Sequence, residues 1–451
     1  MSFPRYPDYK DSRVEWLGSV PKHWDVQALK RNFKIVGGST PKSENESFWD
    51  GEILWATPTD LGKTGSPLLD DTQRKITLEG LASCNTSLVP KGSIILSTRA
   101  PIGSIGIADR PMCTNQGCKS LVPFENTDTN YFSHLLSISS TELNIRGKGS
   151  TFLELSGDEL GAFKLPVPSL SEQTLISKFL DRETAKIDGL VNAQKRLMEL
   201  LKEKRQTVIS HAVTKGINPD APMKPSQIEW LNEIPSHWRV VQVKHLARDG
   251  RKTFTDGDWI ESPHITEEGV RLIQTGNVGI GFYKEQGYRF VSEATFEELH
   301  CTEVFPGDVL ICRLDGPVGR ACLAPDLGGG MITSVDNAIL KPAEDVAAGF
   351  VVALFSSAPW LSWIDALCRV GGGFRLRISR SQLGEIRVPL PPIEEQTAII
   401  RFLAIEAGTI DALTAEAQRA IELLQERRTA LISAAVTGQI DVRTFAKGQP
   451  T

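Results

Sequence analysis

The side chains best suited to chemistry are arginines, lysines and amides set beside glycine-rich turns. Ser97, Thr98 and Arg99 close a strand-like run ahead of Pro101-Ile102-Gly103, and Arg313 closes a second run ahead of Pro317-Val318-Gly319. A planar guanidinium can pair bidentately with a guanine edge or clamp a phosphate, and the competing use is a salt bridge inside the domain. Asn115 with Gln116, and Asp336 with Asn337, occupy comparable places further on. Amides suit adenine edges, although asparagine also builds turns. Arg146-Gly147-Lys148-Gly149 and Gly371-Gly372-Gly373-Phe374-Arg375-Leu376-Arg377, with Arg380 beyond, combine flexible backbone with local positive charge. That is the composition of a phosphate contact or of a solvated loop.

Covalent or metal chemistry finds no footing. Gly62-Lys63-Thr64 ends like a phosphate-binding loop, but Thr57 stands where that loop requires glycine. No Gly-x-Ser-x-Gly elbow, His-Glu-x-x-His pair or paired Cys-x-x-Cys occurs. His23 and His237 sit in Pro-x-His-Trp turns, where packing beside the tryptophans explains them better than metal binding. Seven scattered cysteines form no zinc pattern and read as reduced, mostly buried thiols. The expectation is therefore no catalytic residue, no metal and no cofactor in this chain.

These groups must be positioned by a chain of 451 residues, too long for one compact domain. With 40% hydrophobic and 23% charged residues it has an ordinary globular composition, and no apolar run is long enough for a membrane span. The polar opening MSFPRYPDYKDSRVEW lacks a signal-peptide core, so a cytoplasmic protein is expected. A formal net charge of −5 argues against a protein gripping duplex phosphates alone. Either nucleic acid is not bound, or the basic residues act locally and partners supply much of the grip.

An internal repeat organises the chain. Glu15-Trp16-Leu17…Pro21-Lys22-His23-Trp24 recurs as Glu229-Trp230-Leu231…Pro235-Ser236-His237-Trp238. Leu165-Pro166-Val167-Pro168 with Glu172-Gln173-Thr174 recurs as Val388-Pro389-Leu390-Pro391 with Glu395-Gln396-Thr397. From Pro166 to Thr214 against Pro389 to Thr437, about 23 of 49 gapless positions are identical, far beyond chance for a repeat. These segments read as helices. Ser169 and Glu172 offer a capping box, and Ile187, Leu190, Leu197, Leu201 and Val208 follow a three-four spacing that the second copy repeats. Gly216 and Gly438 stop them after about 40 residues, or roughly 60 Å. The intervening stretches, β-rich with Gly/Pro/Asn loops, agree far less. Like helices and unlike domains suit one kind of partner bound twice and two different targets. A coiled-coil scaffold without base readout is the alternative, and it predicts equivalent domains.

Taken in this order, the motifs resemble the specificity subunit of type I restriction-modification systems across nearly the whole chain. The resemblance implies an α+β fold, with two mixed α/β target recognition domains joined by two long antiparallel helices and related by a pseudo-two-fold repeat. The expected boundaries are 1–164 and 217–387 for the recognition domains, and 165–216 and 388–451 for the helical regions. It implies a bipartite, asymmetric double-stranded DNA site, two docked methyltransferase subunits carrying S-adenosylmethionine, and restriction subunits carrying ATP and Mg. The Asn/Asp-Pro-Pro-aromatic motif of adenine methyltransferases is absent here, since Asn218-Pro219-Asp220 lacks the second proline and the aromatic. The expected DNA contacts are Ser97, Thr98, Arg99, Asn115, Gln116, Arg146, Lys148, Arg313, Asn337, Arg375, Arg377 and Arg380.

Overall fold

The computed structural model describes residues 3–62, 67–148, 153–370 and 376–445. Two helices dominate, Leu170–Lys215 and Ile393–Val436, of 46 and 44 residues. Each starts directly after a short strand, Lys164–Val167 or Arg387–Leu390. Each ends at a glycine with positive φ, Gly216 at 79° and Gly438 at 76°. A left-handed residue terminates a helix most cheaply when it has no Cβ.

The chain forms two compact units, residues 1–195 with 418–451, and residues 196–417. Each contains one globular domain and a part of both helices. In the first unit, Ile176, Phe179 and Leu180 from the start of the first helix share a core with Ile432, Ala435 and Val436 from the end of the second. Asp188 bonds Arg428 at 3.0 Å further along, so the helices run antiparallel there. In the second unit Ala212 and Val213 share a core with Ile399, and Arg205 pairs with Asp411, which gives the same sense.

Both domains use one topology. In the first, Cys118–Pro123 lies between Phe33–Gly37 and Ile94–Ser97, with Ile105–Ala108 and Leu68–Leu69 outside. In the second, Asn337–Leu340 lies between Phe254–Asp256 and Val309–Cys312, with Ala321–Leu323 outside. A smaller sheet accompanies each. Its Met112–Thr114 strand runs parallel to Trp49–Ala56 in the first domain, as Met331–Thr333 does to Val270–Ile273 in the second. Trp24 and Trp238 are fully buried where domain meets helix.

The repeated motifs have their explanation at these seats. Glu172 Oε2 lies 3.0 Å from His23 Nε2, and Glu395 Oε2 lies 2.7 Å from His237 Nε2. The histidines thus tie the tryptophan turn to the first turn of the helix rather than merely packing. Gln173 donates to Pro168 O and accepts from Asp128 N, while Gln396 donates to Pro391 O and accepts from Ala347 N, all at 2.8–2.9 Å. Trp238 Nε1 donates to Glu395 at 3.0 Å. In the first unit that service falls to the Tyr6 hydroxyl, 2.8 Å from Glu172 Oε1, and burial holds this phenol well above its ordinary pKa, so it remains a donor. All seven cysteines are free, and burial pushes the thiols of Cys113, Cys118 and Cys322 up to about 12. Among the described residues no single helix is long and apolar enough to cross a membrane.

The helix ends differ in how tightly they are enclosed. A Cβ on Gly438 would stand 2.3 Å from Pro21 Cδ, whereas one on Gly216 would meet nothing nearer than Glu395 Oε1 at 3.1 Å and Trp238 Cζ2 at 3.4 Å. Both alanine variants carry the left-handed strain of about 1 kcal/mol. Gly438→Ala adds a clash with a proline ring and should lower the melting temperature distinctly more than Gly216→Ala, as read by differential scanning calorimetry of the two variants.

Candidate nucleic-acid interface

Strand register decides which expected contacts reach the surface. Ser97 lies opposite Cys118, and Cys312 lies opposite Asn337. Gly103 N donates to Ser97 O, and Gly319 N to Cys312 O, so these two positions correspond. Arg313 therefore stands in the place of Thr98, and Leu314 in the place of Arg99. The expectation that Arg99 and Arg313 are counterparts is off by one residue, and in a strand one residue turns a side chain to the other face. Asn337 likewise corresponds to buried Cys118 and not to Asn115.

The consequences follow position by position. Ser97 is buried, with its hydroxyl donating to Pro101 O at 2.7 Å and accepting from Ser104 N at 2.8 Å. Thr98 is buried and donates to Gly117 O at 3.3 Å. Asn337 is buried and donates to Thr333 Oγ1 at 2.8 Å. Arg313 is 4% exposed, donates to Ile378 O at 3.1 Å and to Val335 O, and lies 2.9 Å from Asp256 Oδ1. Groups enclosed in this way offer no free donor to DNA. The direct contact expected of these four is replaced by a scaffolding role beneath the loops.

A different set remains at the surface. Arg99 pairs with Glu154 at 3.1 Å, both about two-fifths exposed, an arrangement worth at most about 1 kcal/mol and readily exchanged for a phosphate. Lys148 bonds Glu159 at 2.6 Å, and its backbone pairs with that of Glu154. The structure thus gathers Arg99 and Lys148 around one short strand. Arg146 stands 5.3 Å over the Phe163 ring nearby. Asn115 caps its own turn by accepting from Gly117 N at 3.0 Å, and exposed Gln116 accepts from Thr40. In the second domain Arg377 takes the place of Glu154, pairing its backbone with Leu314 and its side chain with Asp336 at 3.2 Å. Arg380 bonds Asp256 at 3.1 Å and Phe254 O at 2.7 Å. Arg375 lies outside the described residues, as do Lys63 and Thr64 of the phosphate-loop-like segment and Gly149.

Sequence reasoning missed a second pair of corresponding loops. After the strand ending at Ala56, buried Asp60 accepts from Thr57 N, Thr57 Oγ1 and Gln73 N at 2.6–2.9 Å. After the strand ending at Ile273, buried Asn277 accepts from Gln274 N at 2.8 Å and donates to Lys284 O and Gln286 O at 2.9 and 2.7 Å. Each loop is clamped from beneath by one buried Asx side chain three residues into the turn. The available signal was Thr57-Pro58-Thr59-Asp60 against Gln274-Thr275-Gly276-Asn277, the same turn in two dissimilar spellings.

Two unlike charged heads on one repeated scaffold, linked by helices whose anchors are the same in both copies, define a class of paired recognition proteins. A domain described as "Type I restriction modification DNA specificity domain" matches residues 21–198. Over part of its length the chain is similar to the specificity subunits of type I restriction enzymes. It is 35% identical to the MjaIX specificity subunit of Methanocaldococcus jannaschii over 51% of this chain and 53% of that one. It is 28% identical to the EcoR124I/EcoR124II specificity subunit of Escherichia coli over 43% and 46%. The chain thus spans about half the length of these two relatives. The match to the M. jannaschii MjaVIII specificity subunit, at 23% identity, covers 94% of this chain and 95% of that one. The fold matches a chain from a type I R-M system studied for complex assembly and conformational transition, with TM-score 0.67, 16% identity and coverage of 92% and 98%. It also matches the HsdS subunit from Thermoanaerobacter tengcongensis, with TM-score 0.55, 17% identity and coverage of 93% and 98%.

The two arginines, one buried and one exposed, should behave oppositely. Arg313→Ala removes two carbonyl partners and one carboxylate partner from a buried group and should destabilise the fold by at least about 2 kcal/mol. Arg99→Ala should change stability by no more than about 0.5 kcal/mol. Urea unfolding of both variants checks this.

Proposed function

We propose that this chain is the DNA-reading subunit of a type I restriction-modification complex and carries no active site of its own. Its two domains read the two halves of an asymmetric, bipartite duplex site. One observation carries this reading: the anchors are the same in both copies while the charged surfaces are not. Arg99 paired with Glu154 in one domain becomes Leu314 beside Arg377 in the other. A scaffold holding one partner at each end has no use for that divergence. Two half-sites of different sequence require it.

The helices supply the docking surface in this reading. Leu190, Ile405 and Leu423 are between 53% and 68% exposed, far above the level of a paired seam. Exposed apolar side chains on these helices suit contact with protein partners, here two methyltransferase subunits that carry S-adenosylmethionine. Restriction subunits carrying ATP and Mg complete the complex in the cytoplasm. Partners closing around the duplex also reconcile the net charge of −5 with DNA binding.

The deciding experiment assembles the purified chain with its methyltransferase partners, selects duplexes from a random pool and sequences them. A split motif with two unlike halves is expected, and recovery without sequence enrichment would refute base readout. Titration calorimetry of the chain alone with S-adenosylmethionine should show no heat of binding. Ile405→Asp and Leu423→Asp should each weaken association with the methyltransferase by tenfold or more in analytical ultracentrifugation, since each places a charge in a desolvated contact.

A further inference from the structure

The second domain contains two buried guanidiniums with no carboxylate partner among the described residues. Arg271 is 5% exposed and donates to Arg289 O and Gln286 O at 3.3 and 3.4 Å, with the Tyr288 ring centroid 4.9 Å away. Arg320 is 9% exposed and donates to Thr275 O, Val278 O, Asp315 O, Gly316 O and Pro317 O at 2.6–3.3 Å. Carbonyl dipoles satisfy their hydrogens but leave both charges uncompensated, an arrangement that is costly when stability alone is at stake. The first domain avoids it. The register places Leu54 where Arg271 stands and Ser104 where Arg320 stands.

Arg271 lies beneath one loop, and Arg320 holds the adjoining turn through Thr275 O and Val278 O. Residues 284–289, Lys-Glu-Gln-Gly-Tyr-Arg, are all exposed, and Lys284 and Arg289 have no ion-pair partner among the described residues. Asn277 and Arg271 together hold the carbonyls of Lys284, Gln286 and Arg289, and Gln286 Nε2 donates to Gly276 O at 2.9 Å. The loop is therefore ordered before it meets a ligand, which removes much of the entropy cost of binding. It also presents two free cations over a buried positive field, a setting that draws phosphate.

We propose that the second domain reads its half-site with residues 284–289, Arg289 addressing a base pair in the major groove and Lys284 an adjoining phosphate. The assignment rests on the chain being the DNA-reading subunit proposed above. Arginine presents the planar fork that matches guanine O6 and N7, while lysine is a point charge suited to phosphate. The loop belongs to one domain alone, so its readout is confined to one half of the motif.

The test uses the full chain assembled with its methyltransferase partners. Fluorescence anisotropy measures binding to the selected duplex and to duplexes with one base pair changed at each position of either half-site. Arg289→Ala should weaken binding to the selected duplex by tenfold or more and abolish discrimination at one base pair of a single half-site. Lys284→Ala should weaken all duplexes alike and lower the slope of log K against log salt by about 0.9. Both positions are exposed, and gel filtration of each assembled variant confirms an intact complex. Wild-type affinity and discrimination in both variants would overturn the assignment while leaving the DNA-reading role in place. A wild-type complex indifferent to every base change would overturn the role and the assignment with it.

Discussion

The seat at which each domain receives a helix is the interaction on which the molecule depends. Its parts are a buried tryptophan, a histidine reaching the Glu of the first helical turn, and a glutamine satisfying backbone on both sides. The end of the other helix, closed by a left-handed glycine, fills the remaining space. Gly438 lies against Pro21 and Trp24 in the first unit, and Gly216 against Pro235 and Trp238 in the second. Neither domain has a complete core without two helix termini, which flank the second domain in sequence but for the first include residues 432–436 from far along the chain. This is why the strongest sequence identity lies in the helices and their seats while the domain surfaces are free to diverge.

That division of labour recurs at smaller scale inside the domains. Buried polar groups shape the loops: Ser97 and Asp60 in the first, Arg313, Asn277, Arg271 and Arg320 in the second. Exposed cations then sit on loops already held in place. Arg99 and Lys148 are joined to carboxylates by weak surface bridges that a phosphate can displace. Rigid support under exchangeable contacts is what recognition of a fixed geometry requires.

Much of this was legible in the sequence, and the failures share a cause. Long helices declare themselves through three-four spacing, caps and glycine stops, all local signals, and the repeat doubled each of them. The short strands gave no such redundancy. Aligning Arg99 with Arg313 by residue type misplaced the register by one, because an arginine near a strand end reads alike whichever way it points. Only cross-strand pairing, between residues 25 or more apart, shows that Arg313 faces Asp256 and Ile378 in the interior. Buried guanidiniums such as Arg271 and Arg320 were invisible for the same reason. Sequence statistics place arginine outside, and their burial depends on carbonyls that several separate turns bring together.

The seat of the first domain has a consequence for how the protein is made. The Tyr131 hydroxyl bonds Val436 O, and Asp441 N donates to Pro4 O, so the first unit is finished by residues at the far end of the chain. The second unit is one continuous stretch, residues 196–417. On the ribosome the domain emerging first must therefore wait for roughly 220 further residues, on the order of tens of seconds of synthesis, with part of its core uncovered. The domain emerging second has all its parts in hand before the stop codon is reached. Order of birth and order of completion are reversed, and a ribosome that stalls before the last turn of the second helix releases a chain with one finished head and one open one.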